Sequence, residues 1–228
     1  MYITNVPEIA SIADRAGVDR IFIDLERYGK EKRQKNWDSV KSKHSISDIP
    51  KVKASVKNAQ IFVRTDPVFD GFADELESVL ACRPDVVMLP YFKTVREVET
   101  FIKAVDGRAK TSILLETREA AELIDDIISV GGIDEIHIGL NDLSHSYGKK
   151  FLFEELADGT VDRLVERFKV HGIGKLRLRR NRLARRRSAA GGNDTSRALQ
   201  ARFDLRYPLP RVLRRVKGRE YRRNTPHI

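Results

Sequence analysis

The 228 residues, 41% of them hydrophobic, suffice for one substantial domain, since a barrel of alternating strands and helices needs roughly 250 residues. No run of about 18 apolar residues occurs, and the opening MYITNVPEIASIADRAG lacks the basic stretch and apolar core of a secretory signal, so a cytoplasmic protein with no membrane partner is expected. The net charge of +10 points toward nucleic acid only until it is located: residues 175–228 hold sixteen arginines and two lysines against Asp194, Asp204 and Glu220, and residues 1–174 are net acidic.

In chain order, strands are predicted at Tyr2–Thr4, Arg20–Asp24, Gln60–Arg64, Val86–Pro90, Ser112–Glu116 and Glu135–Gly139, with a weaker one near Gly172–Leu178. Between them Phe72/Leu76/Val79/Leu80, Ala120/Leu123/Ile124/Ile127 and Val161/Leu164/Val165/Phe168 each trace one helical face, read as core. The single cysteine, Cys82, has no partner for an internal disulfide and reads as a small buried or half-buried thiol. This alternation argues for βα units around a parallel sheet. Arg64, Pro90, Glu116 and Asp142 follow one another at intervals of 26 residues, and a constant repeat with a polar residue where each strand stops is expected of a β/α barrel. An open doubly wound sheet is the alternative, although no glycine-rich phosphate loop follows the first strands.

Glu116 in SILLET and Asp142 in HIGLNDLS would point into one barrel mouth, where hard cations such as Mg²⁺ or Mn²⁺ favour carboxylate oxygens and keep waters for substrate to displace. Arg64 in IFVRTDP is placed to hold a substrate carboxylate in bidentate fashion. A strand-end Glu or Asp alone is more often a helix cap or loop anchor; the conjunction at equal spacing is what reverses that reading.

The segments ITNVPEIASIADRAGVDRIFIDLE, IFVRTDP, DVVMLPYF, LLET, GIDEIHIGLNDLS and FLFEELADGTVD resemble the HpcH/HpaI aldolase and citrate lyase family from Met1 to about Gly174. The resemblance implies a TIM-type (β/α)8 barrel of the phosphoenolpyruvate/pyruvate-binding kind, usually a homo-oligomer. It implies a divalent metal that polarises a 2-oxo acid or related carboxylate, stabilising the enolate left when a carbon–carbon bond breaks. By position, Glu116 and Asp142 look like the metal ligands and Arg64 like the residue that binds substrate. A lysine imine is a minor option, since Lys103 and Lys110 miss the strand interiors.

One departure concerns the base. Many family members carry a histidine directly after the glutamate at the end of the second strand, whereas this chain reads Asp24-Leu25-Glu26-Arg27. Asp24 and Glu26 are candidates at the rim for holding water or substrate, with a salt bridge to Arg27, Lys30 or Arg33 as the structural alternative. ERYGKEKRQ reads as a substrate-facing loop or a solvated charge run. His44 in SKHSISD is a candidate proton donor, and Trp37 and His137 read as packing residues.

The family pattern stops after Gly172–Gly174, where other members continue with a glycine-rich strand, a helix and a closing strand. Two domains of meaning follow: residues 1–174, the barrel, and 175–228, an arginine-rich tail expected to be disordered or the product of a shifted reading frame. As a real tail it would bind nucleic acid non-specifically through phosphates, the second functional reading. An incomplete barrel would expose strand edges, and an inactive homologue is the third reading.

Overall fold

The computed structural model describes residues 1–28, 43–149, 154–171 and 176–179, the last of these by backbone alone. Seven strands form one sheet in the order of the sequence: β1 (Tyr2–Ile3), β2 (Arg20–Asp24), β3 (Gln60–Arg64), β4 (Val86–Leu89), β5 (Lys110–Leu115), β6 (Glu135–Gly139) and β7 (Leu176–Arg179). Every neighbouring pair is parallel. The helices are α1 (Pro7–Arg15), α2 (Asp48–Ser55), α3 (Phe72–Ala81), α4 (Val95–Val105), α5 (Arg118–Glu122), α6 (Ile124–Ser129), α7 (Leu140–Ser146), α8 (Glu154–Ala157) and α9 (Thr160–Val170).

Local chemistry sets these boundaries. Pro7 opens α1, where its missing N–H costs no hydrogen bond, with Glu8 in the first turn and Arg15 in the last, complementing the helix dipole. Thr94 and Glu97 cap the start of α4 reciprocally, and Asp106 ends it in the left-handed region. The expected apolar stripe Ala120/Leu123/Ile124/Ile127 is interrupted: α5 ends and α6 begins at Leu123, which is 37% exposed while the other three are buried.

Strand side chains divide by parity. Ile21, Ile23, Ile61, Val63, Val87, Leu89, Ile113, Leu115, Ile136 and Ile138 pack outward with Phe72, Leu76, Val98, Phe101, Ile127 and the apolar face of α9 in the larger core. Phe22, Phe62, Val86, Met88 and Leu114 form a smaller inner cluster, against which Met1 packs. A sheet buried on both faces with its helices on one side is the wall of a barrel.

A buried ion pair shows how far that wall curls. Arg20 on β2 holds Glu135 on β6 through two hydrogen bonds of 2.6 Å, and both residues are at most 3% exposed. Four strand spacings on a flat sheet would part them by roughly 19 Å, so β2 and β6 must face each other across an interior. The described residues are therefore an arc of a β/α barrel rather than an open doubly wound sheet. β7 extends it four residues into the arginine-rich segment, and the expectation of a disordered tail for residues 180–228 falls outside the described residues.

Candidate active site at the C-terminal rim

The interior is layered along its axis. At the N-terminal end the Arg20–Glu135 pair lies against Phe62, with the Arg20 guanidinium 5.4 Å from the ring centroid. Phe22 and Phe62, 5.4 Å apart, form the middle with His137, whose ring is 5.5 Å from Phe62. His137 is thus the packing residue that the sequence indicated. Above them the Arg64 guanidinium sits 5.8 Å from the Phe22 ring and opens the rim.

Arg64 is the hub. Its Nε and Nη2 donate to the two carboxylate oxygens of Asp24, each at 2.7 Å, and its Nη1 lies 2.9 Å from Glu26 Oε2. All three residues are at least 95% buried. Burial alone would lower the Arg64 pKa, but Glu26, Asp24 and, more distantly, Glu116 hold it well above the ordinary value. Among the described residues Asp24 and Glu26 both pair with Arg64 across the β2–β3 boundary; of the salt bridges weighed from the sequence, those to Lys30 and Arg33 fall on residues outside the described ones. The Arg27 guanidinium instead donates to the His44 carbonyl at 2.6 Å.

His44 comes to the same rim from well along the chain. It is 7% exposed, and its Nδ1 accepts the Asp24 backbone N–H at 3.0 Å. An imidazole that accepts at Nδ1 carries its proton on Nε2 when neutral, so this geometry presents an N–H donor.

Glu116, 3% exposed, directly follows β5, and its Oε1 accepts the Tyr91 N–H at 3.1 Å. Tyr91 has a φ of 48°, a conformation that side chains rarely adopt, and that turn aims its amide at Glu116. Space for the carboxylate comes from Gly139, where an added Cβ would meet Glu116 Cβ and Oε2 at 2.7 Å. Asp142 is half-buried in the first turn of α7, three residues beyond the end of β6.

The equal spacing of 26 residues thus has a different meaning from the one expected. Paired residues step by 24, 24 and 23, from Arg64 to Met88, Ser112 and Glu135. Each 26-residue step therefore climbs the rim, because adjacent barrel strands are staggered. Glu116 directly follows its strand, whereas Asp142 belongs to the helix after the next one.

Among the described residues no group of three or more His, Cys, Asp and Glu side chains is disposed to hold a metal ion. Two carboxylates with water and substrate oxygens completing the shell remain a donor set that fits Mg²⁺ or Mn²⁺, and the room kept for Glu116 Oε2 by Gly139 is consistent with that use. Lys103 and Lys110 are exposed, and none of the described lysines is buried. Trp37 and residues 29–34 of ERYGKEKRQ lie outside the described residues. Sequence reasoning passed over Tyr91, Gly139 and Asp66; the run Leu89-Pro90-Tyr91 at a strand end was the available signal for the first.

Residues 2–173 match the profile of the HpcH/HpaI aldolase/citrate lyase family. A comparison with curated proteins gives no match. Solved structures share the fold at low identity. A HpcH/HpaI aldolase/citrate lyase family protein from Burkholderia cenocepacia J2315 has a TM-score of 0.62 at 13% identity, covering 78% of this chain and 77% of that one. The citrate synthase SbnG gives 0.60 at 19%, covering 75% and 73%. A citrate lyase beta subunit from M. tuberculosis, complexed with oxaloacetate and magnesium, gives 0.52 at 18%, covering 78% and 76%. Among the described residues no helix is long and apolar enough to cross a membrane.

Proposed function

Because the chain belongs to the HpcH/HpaI aldolase/citrate lyase family, we propose that it is a divalent-metal-dependent carbon–carbon lyase acting on a 2-oxo acid or a related carboxylate. The observation that carries this reading is the charge of the rim: three buried carboxylates, Asp24, Glu26 and Glu116, surround one guanidinium. Carboxylates gathered in a low-dielectric mouth are costly to keep ionised, a cost that a doubly charged cation would offset. Such a cation, held by Glu116 and Asp142, would supply Lewis-acid polarisation of the 2-oxo carbonyl.

The chain's own residues do the rest. Three of the five guanidinium N–H groups of Arg64 are engaged by Asp24 and Glu26, leaving one on each terminal nitrogen to bind substrate. The carboxylate fork fixes their direction, so Arg64 meets the developing charge without reorganising. His44, whose Nδ1 accepts the Asp24 amide, would donate a hydrogen bond from its Nε2–H to an oxygen of the substrate. Phe22 and Phe62 floor the mouth and keep water from the reacting carbon.

Release of pyruvate from 4-hydroxy-2-oxo acids, with Mg²⁺ or Mn²⁺ and then with chelator, tests the reading. Turnover is expected to vanish on chelation and to fall in Asp142→Ala together with metal affinity. Chelator-insensitive turnover rejects the mechanism.

A further inference from the structure

Asp66 and Glu75 lie beside the rim but touch none of its ion pairs. Asp66 Oδ1 accepts the backbone N–H groups of Arg27 at 2.5 Å and Tyr28 at 2.6 Å. The Tyr28 ring stacks on Phe69, 5.1 Å between centroids. The Asp66 N–H in turn donates to Glu75 Oε1 at 3.1 Å, from the first turn of α3. Since Arg27 reaches the His44 carbonyl and His44 Nδ1 takes the Asp24 N–H, Glu75, Asp66, Arg27, His44 and Asp24 form one connected series. It runs from an outer helix to the residue that grips Arg64.

We propose that Glu75 is a positioning residue for the rim, acting through Asp66 and Arg27 to hold His44 against the end of β2. Glu75 Oε2 is shielded from solvent and accepts no hydrogen bond from the described residues, a setting that suits a neutral carboxyl better than a carboxylate. Burial, aided by the Asp66 charge, pushes Glu75 up to about 7, against the Asp66 N–H and the Arg27 guanidinium, which favour the ionised form. Asp66 from the β3–α3 loop and Arg27 from the segment after β2 are the charged groups that act on it. Below neutrality a neutral Glu75 anchors Asp66 without opposing it. Above, two like charges meet at one backbone amide, and the hold on Arg27 and His44 weakens.

This inference rests on the rim being the reaction site, so its test reads geometry instead of turnover. Nitrogen-15 NMR of the full-length protein resolves the ring nitrogens of its five histidines, with His44 assigned by loss of its signals in His44→Gln. Wild type is expected to hold the Nε2–H form at pH 6.5 and to pass to a tautomer mixture with a midpoint near 7, whereas Glu75→Gln, which keeps the acceptor without the charge, stays Nε2–H to pH 8.5. Glu75→Ala is expected to give the mixture throughout. Identical curves for wild type and Glu75→Gln overturn the proposal. Where lyase activity is measured, the alkaline fall in kcat should be absent from Glu75→Gln with KM unchanged. A tautomer step without turnover on any 2-oxo acid removes the assigned reaction and leaves the positioning role standing.

Discussion

Gly139 has an ordinary φ of −88°, so it is the missing side chain, and not backbone freedom, that the rim uses. A methyl group there would collide with Glu116 at both Cβ and Oε2, and overpacking of this kind costs typically 1–3 kcal/mol. Gly139→Ala is therefore expected to displace the Glu116 carboxylate, weakening Mn²⁺ binding by roughly tenfold to a hundredfold with a modest loss of thermal stability, read by calorimetry and melting. Unchanged affinity at lowered stability would make Glu116 a packing group only. At this scale the sequence displayed Arg64, Asp24, Glu26 and Glu116 through their position at strand ends. It hid their mutual pairing, because which carboxylate an arginine selects depends on stagger between strands and not on spacing along one chain.

Elements were legible where burial is symmetrical. β2, β3 and β6 have the predicted bounds because strands covered on both faces read as short apolar runs closed by polar residues. The break at Leu123 escaped the helical periodicity, since an apolar residue at a helix junction looks like one more member of the stripe. The tie between β2 and β6 was equally invisible: Arg20 and Glu135 are 115 residues apart. Burial opposes ionisation of Glu135, yet the Arg20 fork, with His137, holds its carboxyl well below the usual range. A depressed carboxylate gives stability that is present above its unfolded pKa of about 4.3 and lost as pH falls below that value. Arg20→Met alone strands a buried carboxylate and is expected to cost about 3–5 kcal/mol, whereas Arg20→Met with Glu135→Leu should be near neutral and less acid-sensitive. Urea midpoints at pH 7 and pH 3.5 check both; a single variant as stable as wild type would show the pair to be solvated.

Over the whole molecule, β1 is one edge of the sheet that the described residues form. Tyr2 and Ile3 on β1, with Val6, Ile9 and Ile12 before and along α1, leave a run of apolar side chains exposed, Ile12 at 59%. The strand order has a further consequence, in time. Because each strand pairs with its predecessor, a chain leaving the ribosome can add its βα units one by one. The Arg20 charge belongs to the second strand, and its carboxylate emerges only with residue 135. In the interval between, a wall that closes over Arg20 would bury a cation whose counter-charge has not yet been synthesised. Chains stopped at residue 130 are accordingly expected to be protease-sensitive and to gain resistance with Arg20→Met, a change that harms the finished protein; equal sensitivity of the two truncated chains would mean that the interior closes only after β6 arrives.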